Sequence, residues 1–393
     1  MHFRWMMAAV LFPAAPVFGA VPFHCGGVVS LQTAIDLALP NATLLLSGTC
    51  SGPVVINRNN ITLASNTGAV IDGTGKDAIT VTGPVRVSLN GLTVQHGNNG
   101  INAAAGAQLI LTNTQILANS AMGILLTGAS SATLSGVVTN GNGVNGLDAE
   151  GSSSILVTGS YQSNHNGVFG VNINGSSSFT LSQAQVVVSA NTLGIQIGTG
   201  ASAFISDAAT SVNVSNNVTT GLTIVSGSHM VDFGGTITAT GNGIHGVSID
   251  SKAGLDLDAA AVLNASGNTQ DGVHLEETSV LTMFNTPAFS GAPGTTTINT
   301  HNNGGNGLSV LTASNFTVIH QAALISTNNT MDGVQVDNGS SLTLIQSTVT
   351  GNTARDVILT FGSRGDITTS TIGKVTCDAT VLIRGSLSAV CPM

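Results

Sequence analysis

A phrase of asparagine, three variable residues, glycine and an aliphatic residue returns along this chain at a nearly fixed interval. It appears as NSAMGI (119–124), NGVNGL (142–147), NGVFGV (166–171), NVTTGL (217–222) and NGIHGV (242–247). It returns as NTQDGV (268–273), NGGNGL (303–308) and NTMDGV (329–334), and NTARDV (352–357) is a degenerate copy with Asp356 in the glycine's place. Gly100 and Gly194 mark two copies without the asparagine four places earlier. Successive glycine positions lie 23 to 27 residues apart, with one step of 35 between Gly272 and Gly307. A constant period of this length points to a stack of like units, each covering its neighbour's apolar face.

Residues one and three places after the glycine are aliphatic, as in Val247 and Ile249 or Val273 and Leu275, and those between are polar. This is strand alternation, with one face inside and one outside. A second alternating strand follows a short Gly/Ser turn (FTLS, LDLD, LTLI), and a third apolar segment leads into the next asparagine. Three short strands and three turns per period make one rung of a parallel β-solenoid. At about 4.8 Å per rung, some twelve rungs give a rod on the order of 55–60 Å. The asparagines stack as a ladder of side-chain amides that satisfies the turns. Sequons such as those at Asn60 and Asn315 follow from the same composition and are not read as glycosylation sites. The open ends of the stack need covers. SLQTAIDLAL (30–39), with Ser30 as N-cap and apolar residues at helical spacing, is expected to be an amphipathic helix over the N-terminal end.

The opening SLQTAIDLALPNATLLLSGTCSGPVVINRNNITLASNTGAVIDGTG and the Asn-x-x-x-Gly-aliphatic rungs together resemble the right-handed parallel β-helix, or pectin-lyase-like, superfamily. The resemblance spans almost the whole chain and implies an all-β fold. It does not choose among that superfamily's lyases, hydrolases, epimerases, tailspikes and surface proteins. It also implies that the turn 250–254 borders a substrate groove lined by the strand LDLD (255–258). Four parts are expected: a secretion signal at 1–20, a cap with first rungs at 21–75, the repeats at 76–360, and a last rung with cap at 361–393.

Composition narrows the function. A net charge of −9 and only 7% charged residues argue against nucleic acid and anionic membranes, which demand a basic face. The N-terminus has Arg4, a short apolar run and small residues at Gly19 and Ala20, the pattern of an export signal, and nothing later qualifies as a membrane-spanning helix. In an oxidising compartment the four cysteines are expected to pair as Cys25–Cys50 and Cys377–Cys391, one staple at each end.

The strongest concentration of acids is DSKAGLDLDA (250–259) with its neighbouring rungs. Asp232, Asp256, Asp258, His274 and Glu276 form the candidate catalytic set, since carboxylates held together can split into an acid and a base. Asp250, Asp256 and Glu276 form a candidate Ca²⁺ site, because calcium takes several carboxylate oxygens. The long step holds NTPAFSGAPGTTT (285–297), a segment placed to wall the groove. Against catalysis, residues 87–251 contain no Arg or Lys, and the superfamily's Gly-His-Gly, Arg-Ile-Lys and Asp-Pro-His-Asp motifs are missing. Asp148, Glu150, Asn172 and Asn174 are read as solvated strand, and His245 with Asp271 as a surface contact between rungs. Two functions follow: an exported rod, structural or binding a polysaccharide or cell-surface glycan, or a polysaccharide lyase or glycoside hydrolase working at the acidic cluster.

Overall fold

The computed structural model describes residues 19–286 and 294–385, and they form a right-handed-type parallel β-solenoid. Three parallel sheets run its length. Among the described residues the first has 16 strands, beginning with Val21–His24 and Thr43–Ser47 and ending with Leu382–Gly385. The second, from Thr49–Ser51 to Thr371–Ile372, and the third, from Val54–Ile56 to Val375–Cys377, have 14 each. Every described pairing joins a strand to its counterpart one rung away. The rod therefore has about fourteen turns rather than about twelve. The extra turns lie at the ends, where strands such as Val54–Ile56 and Val70–Asp72 follow no Asn-x-x-x-Gly phrase.

The core is a set of columns of inward side chains. Ile195, Leu222, Val247, Val273, Leu308 and Val334 stack in register down the third sheet, all buried. The asparagine ladder is continuous. The Nδ2 of Asn119, Asn142, Asn166, Asn191, Asn217, Asn242, Asn268, Asn303 and Asn329 each donates to the Oδ1 of the next ladder residue, ending on Asn352. Each of those oxygens also accepts the backbone N–H of the residue donating to it, as Asn242 Oδ1 does from Asn217 N at 3.0 Å. Asn191 fills the ladder one place closer to its glycine than the phrase predicts. At the far end Asp356 stands in for a further asparagine, accepting from Asn352 N at 3.0 Å and Nδ2 at 2.9 Å. The repeated glycines are required by this ladder. A Cβ on Gly246 would lie 2.7 Å from Asn268 Nδ2, closer than real contacts allow.

Helix α1 (Leu31–Leu37) forms where the pattern predicts it, with Ser30 accepting from Thr33 N and with Leu31 and Ile35 buried. Its Gln32 covers the starting edge of the third sheet: Oε1 accepts from Val55 N at 2.7 Å, and Nε2 donates to Val55 O at 3.1 Å. An edge strand left open would otherwise present those groups to another chain. Cys25 and Cys50 are joined as a disulfide at the same end. Of the second expected pair, no described cysteine is a free thiol, and Cys391 lies outside the described residues. Among the described residues no helix is long and apolar enough to cross a membrane.

Candidate functional site

Alternation decides where each acid goes. On the strand His229–Phe233, His229 faces out, so Asp232 faces in and pairs in register with Ile205 and Leu257 of the core. It is fully buried; Oδ1 accepts from Gly235 N at 2.7 Å and Oδ2 has no partner. Burial pushes its carboxyl up to about 7, against the smaller effect of the Gly235 bond. Asp232 is therefore a core residue, not part of an exposed acidic cluster. Asp258 is also buried: its Oδ1 accepts from Ala259 N at 2.6 Å and Thr286 N at 2.7 Å, tying down the start of the long insertion. That insertion leaves the rod between the first-sheet strand Val280–Met283 and the second-sheet strand Thr296–His301, and its residues 287–293 lie outside the described residues.

Of Asp232, Asp256 and Asp258, Asp256 alone is not buried, and its Oδ2 lies 3.2 Å from Nε2 of half-exposed His229. The bond to Asp256 raises the His229 pKa, with burial opposing. Asp250 begins the turn to that strand, where Ser251 and Lys252 adopt left-handed backbone and the Ser251 hydroxyl donates to Glu277 Oε2 at 2.9 Å. Glu276 stands one rung on, at the end of the third-sheet strand Val273–Leu275. Asp250, Asp256 and Glu276 do not converge. Among the described residues a different group of three histidine, cysteine or acid side chains comes within ligating reach: His245, Asp271 and His274.

These three sit on the outer face of the third sheet. His245 and Asp271 occupy the place before the glycine on adjacent rungs, and His274 faces out from the strand after it. The two imidazoles stack with centroids 4.4 Å apart and planes at 21°. His274 bridges two carboxylates, with Nδ1 2.9 Å from Asp271 Oδ2 and Nε2 3.3 Å from Glu276 Oε2. Asp271 Oδ1 accepts from Asn306 N at 2.8 Å, and Oδ2 accepts from the Ser309 hydroxyl at 2.9 Å. Burial works against charge on His274, but the bonds and charges of Asp271 and then Glu276 outweigh it and raise its pKa. Burial, followed by the neighbouring His274 charge, drives His245 down to about 4. Burial opposes charge on Asp271 too, yet the bonds from His274 and Asn306 hold its pKa below the ordinary value. The two carboxylates thus favour the charged form of His274, while burial favours the neutral form of His245 beside it. Of the expected catalytic set, only His274 and Glu276 meet here.

The cluster belongs to a longer stripe. Asn102, Leu125, Asp148, Asn172, Gln196, Thr223, Ser248, His274, Ser309 and Gln335 face outward in one column, a residue per rung. Asp148 is only 2% exposed, because Asn145 and Asn172 donate to its oxygens at 2.7 and 3.2 Å. Burial raises its pKa to about 6 in spite of those bonds. Asn174 and Gln196 both donate to Asn172 Oδ1, at 2.8 and 3.2 Å. Further along, Asn306 Nδ2 donates to Ser309 Oγ at 3.0 Å and Gln335 Oε1 at 2.8 Å, and Arg355 forks onto both oxygens of Asp332 at 2.8 and 3.0 Å.

No family model matches this chain, and no curated protein matches it. Among solved structures it is similar to the A-module of the Azotobacter vinelandii mannuronan C-5 epimerase AlgE4, at 13% identity over 90% of this chain and 92% of that one, with a TM-score of 0.41. The pectate lyase Pel9A gives 11% identity over 90% and 72%, with a TM-score of 0.22. The Streptococcus pneumoniae surface protein and adhesin PfbA gives 13% over 93% and 97%, with a TM-score of 0.24. Scores and identities this low transfer no residue and no activity to this chain.

Proposed function

We propose that this protein is an exported β-helix rod that binds a neutral polysaccharide along the outer face of its third sheet. The observation that carries the reading is the outward column from Asn102 to Gln335, which places mostly amide, hydroxyl or carboxylate groups one rung apart. The half-buried amides of Asn102, Asn174, Gln196 and Gln335 offer donors and acceptors to sugar hydroxyls, and a regular rise suits a repeating chain. Arg355, at the end of this stripe, is already held by Asp332 and so offers no free charge to a polyuronate. Export is supported by the Cys25–Cys50 disulfide and the N-terminal pattern.

Affinity electrophoresis through gels containing neutral glucan, xylan or mannan, against alginate and polygalacturonate, tests this. Retardation in a neutral glycan, weakened in Asn174→Ala and Gln196→Ala but not in Asp256→Asn on the first sheet, is expected. Equal migration in every gel would sink the proposal, and retardation lost only in Asp256→Asn would move the binding face to the first sheet.

A further inference from the structure

The His245–Asp271–His274 cluster has the shape of a metal-binding site, and its chemistry differs from the all-carboxylate calcium site that the sequence pattern suggests. Its three ligand atoms lie within 4.8 Å of one another. Asp271 Oδ2 is 2.9 Å from His274 Nδ1 and 3.8 Å from His245 Nδ1. For bonds of 2.0–2.2 Å in a tetrahedral site the ligand–ligand edge is about 3.3–3.6 Å, between those two separations. Closing the site draws the His245 and His274 ligand atoms together from within 4.8 Å and turns His245 Nδ1 away from the Asp271 N–H that it accepts at 3.3 Å.

The surroundings of the cluster also suit a metal. Glu276 Oε2 holds the far nitrogen of His274 at 3.3 Å, the carboxylate–histidine arrangement that fixes ring orientation behind a metal. Asp271 is anchored by Asn306 N and Ser309 Oγ, which leaves its position set before any ion arrives. His245 and His274 are both partly exposed, so the site opens to solvent on one side. Two imidazoles and one carboxylate suit a divalent first-row transition ion, whereas calcium prefers six to eight oxygens.

We propose that His245, Asp271 and His274 bind one divalent transition cation of the zinc class, with Glu276 positioning His274 and the fourth coordination place open. The ion replaces the proton shared by His274 Nδ1 and Asp271 Oδ2, and that proton leaves to solvent.

Equilibrium dialysis of the full chain against micromolar ZnCl₂, CoCl₂ and CaCl₂, with bound metal counted by mass spectrometry, tests this. About one equivalent of zinc or cobalt is expected, with visible absorption from tetrahedral Co²⁺ and no calcium. His245→Gln and His274→Gln should lower affinity by about 100-fold or more, and exposed Glu276→Gln by about 10- to 100-fold. His229→Gln, in the other histidine–carboxylate pair of this region, should change nothing. Far-UV circular dichroism checks folding, and if a histidine variant does not fold, Glu276→Gln decides. No zinc or cobalt bound at micromolar metal, calcium bound in preference, or affinity unchanged by Glu276→Gln and the folded histidine variants would each overturn the proposal.

Discussion

Asp232 offers a direct test of how the rod's interior treats charge. The side chain is fully buried, its Oδ2 has no partner, and its carboxyl is pushed up to about 7 from 3.8. A folded-state value above the unfolded one means the folded protein holds more protons between those two values. Stability is then greatest below about pH 4 for this group and falls as pH rises towards 7, the reverse of the usual salt-bridged carboxylate. A shift of about three units at 1.36 kcal/mol each makes the loss about 4 kcal/mol, complete just above pH 7. Asp232→Asn keeps an oxygen for Gly235 N and cannot ionise, so the loss should vanish. Urea unfolding of both proteins from pH 4 to 8 gives the difference curve, in which the other titrating groups cancel. Repeat arrays can lose rungs in segments, so hydrogen exchange in the peptide around 229–238 should accompany the midpoints. Wild type should match the variant near pH 4 and fall below it by about 4 kcal/mol at pH 8. Parallel curves would refute the reasoning, and would mean that Asp232 is ionised without cost or has a partner in solution.

Other expectations follow from the same geometry. Asn217→Ala removes acceptors from Asn191 N and Nδ2 and a donor to Asn242, leaving buried groups unpaired; thermal or urea unfolding should show a cost of about 3 kcal/mol. Replacing Cys25 and Cys50 by serine opens a 25-residue link, and the N-terminal rungs should lose about 3 kcal/mol, seen as earlier proteolysis near helix α1. Asp256→Asn at the exposed His229 pair should change stability by no more than about 1 kcal/mol.

Much of the architecture is legible in the chain, because a parallel stack repeats its demands every rung. The ladder asparagines other than Asn191, the Ser30 cap and the Cys25–Cys50 staple stand at the positions read from sequence. The turn count falls short because the terminal rungs are held by strand pairing without the ladder. Side-chain parity was legible too: His229 outward fixes Asp232 inward, and counting acids by proximity along the chain overlooks it. Parity gives direction but not burial. Asp258 and Asp148 both face outward, yet Thr286 N covers one and the amides of Asn145 and Asn172 cover the other. The His245–Asp271–His274 group escapes any motif search because its members are 26 and 3 residues apart. Its one signal is that His245 and Asp271 occupy the same place on successive rungs.

The asparagine ladder has a direction. Every described ladder amide from Asn119 to Asn352 points one N–H towards the C-terminal end and its Oδ1 towards the other, the second N–H of most turning back to a carbonyl of the preceding rung, so a net dipole still adds along the rod as peptide dipoles add along a helix. The acceptor end is met by the Gly97 N–H, at 2.9 Å from Asn119 Oδ1. The donor end carries partial positive charge, and there the repeat places a carboxylate, Asp356, whose second oxygen accepts from Lys374 N at 2.7 Å. What looks in the sequence like a decayed copy of the phrase is an electrostatic terminus. It neutralises the array where the amides stop: a carboxylate has no N–H to hand on, so the ladder ends there although the strands continue to Leu382–Gly385.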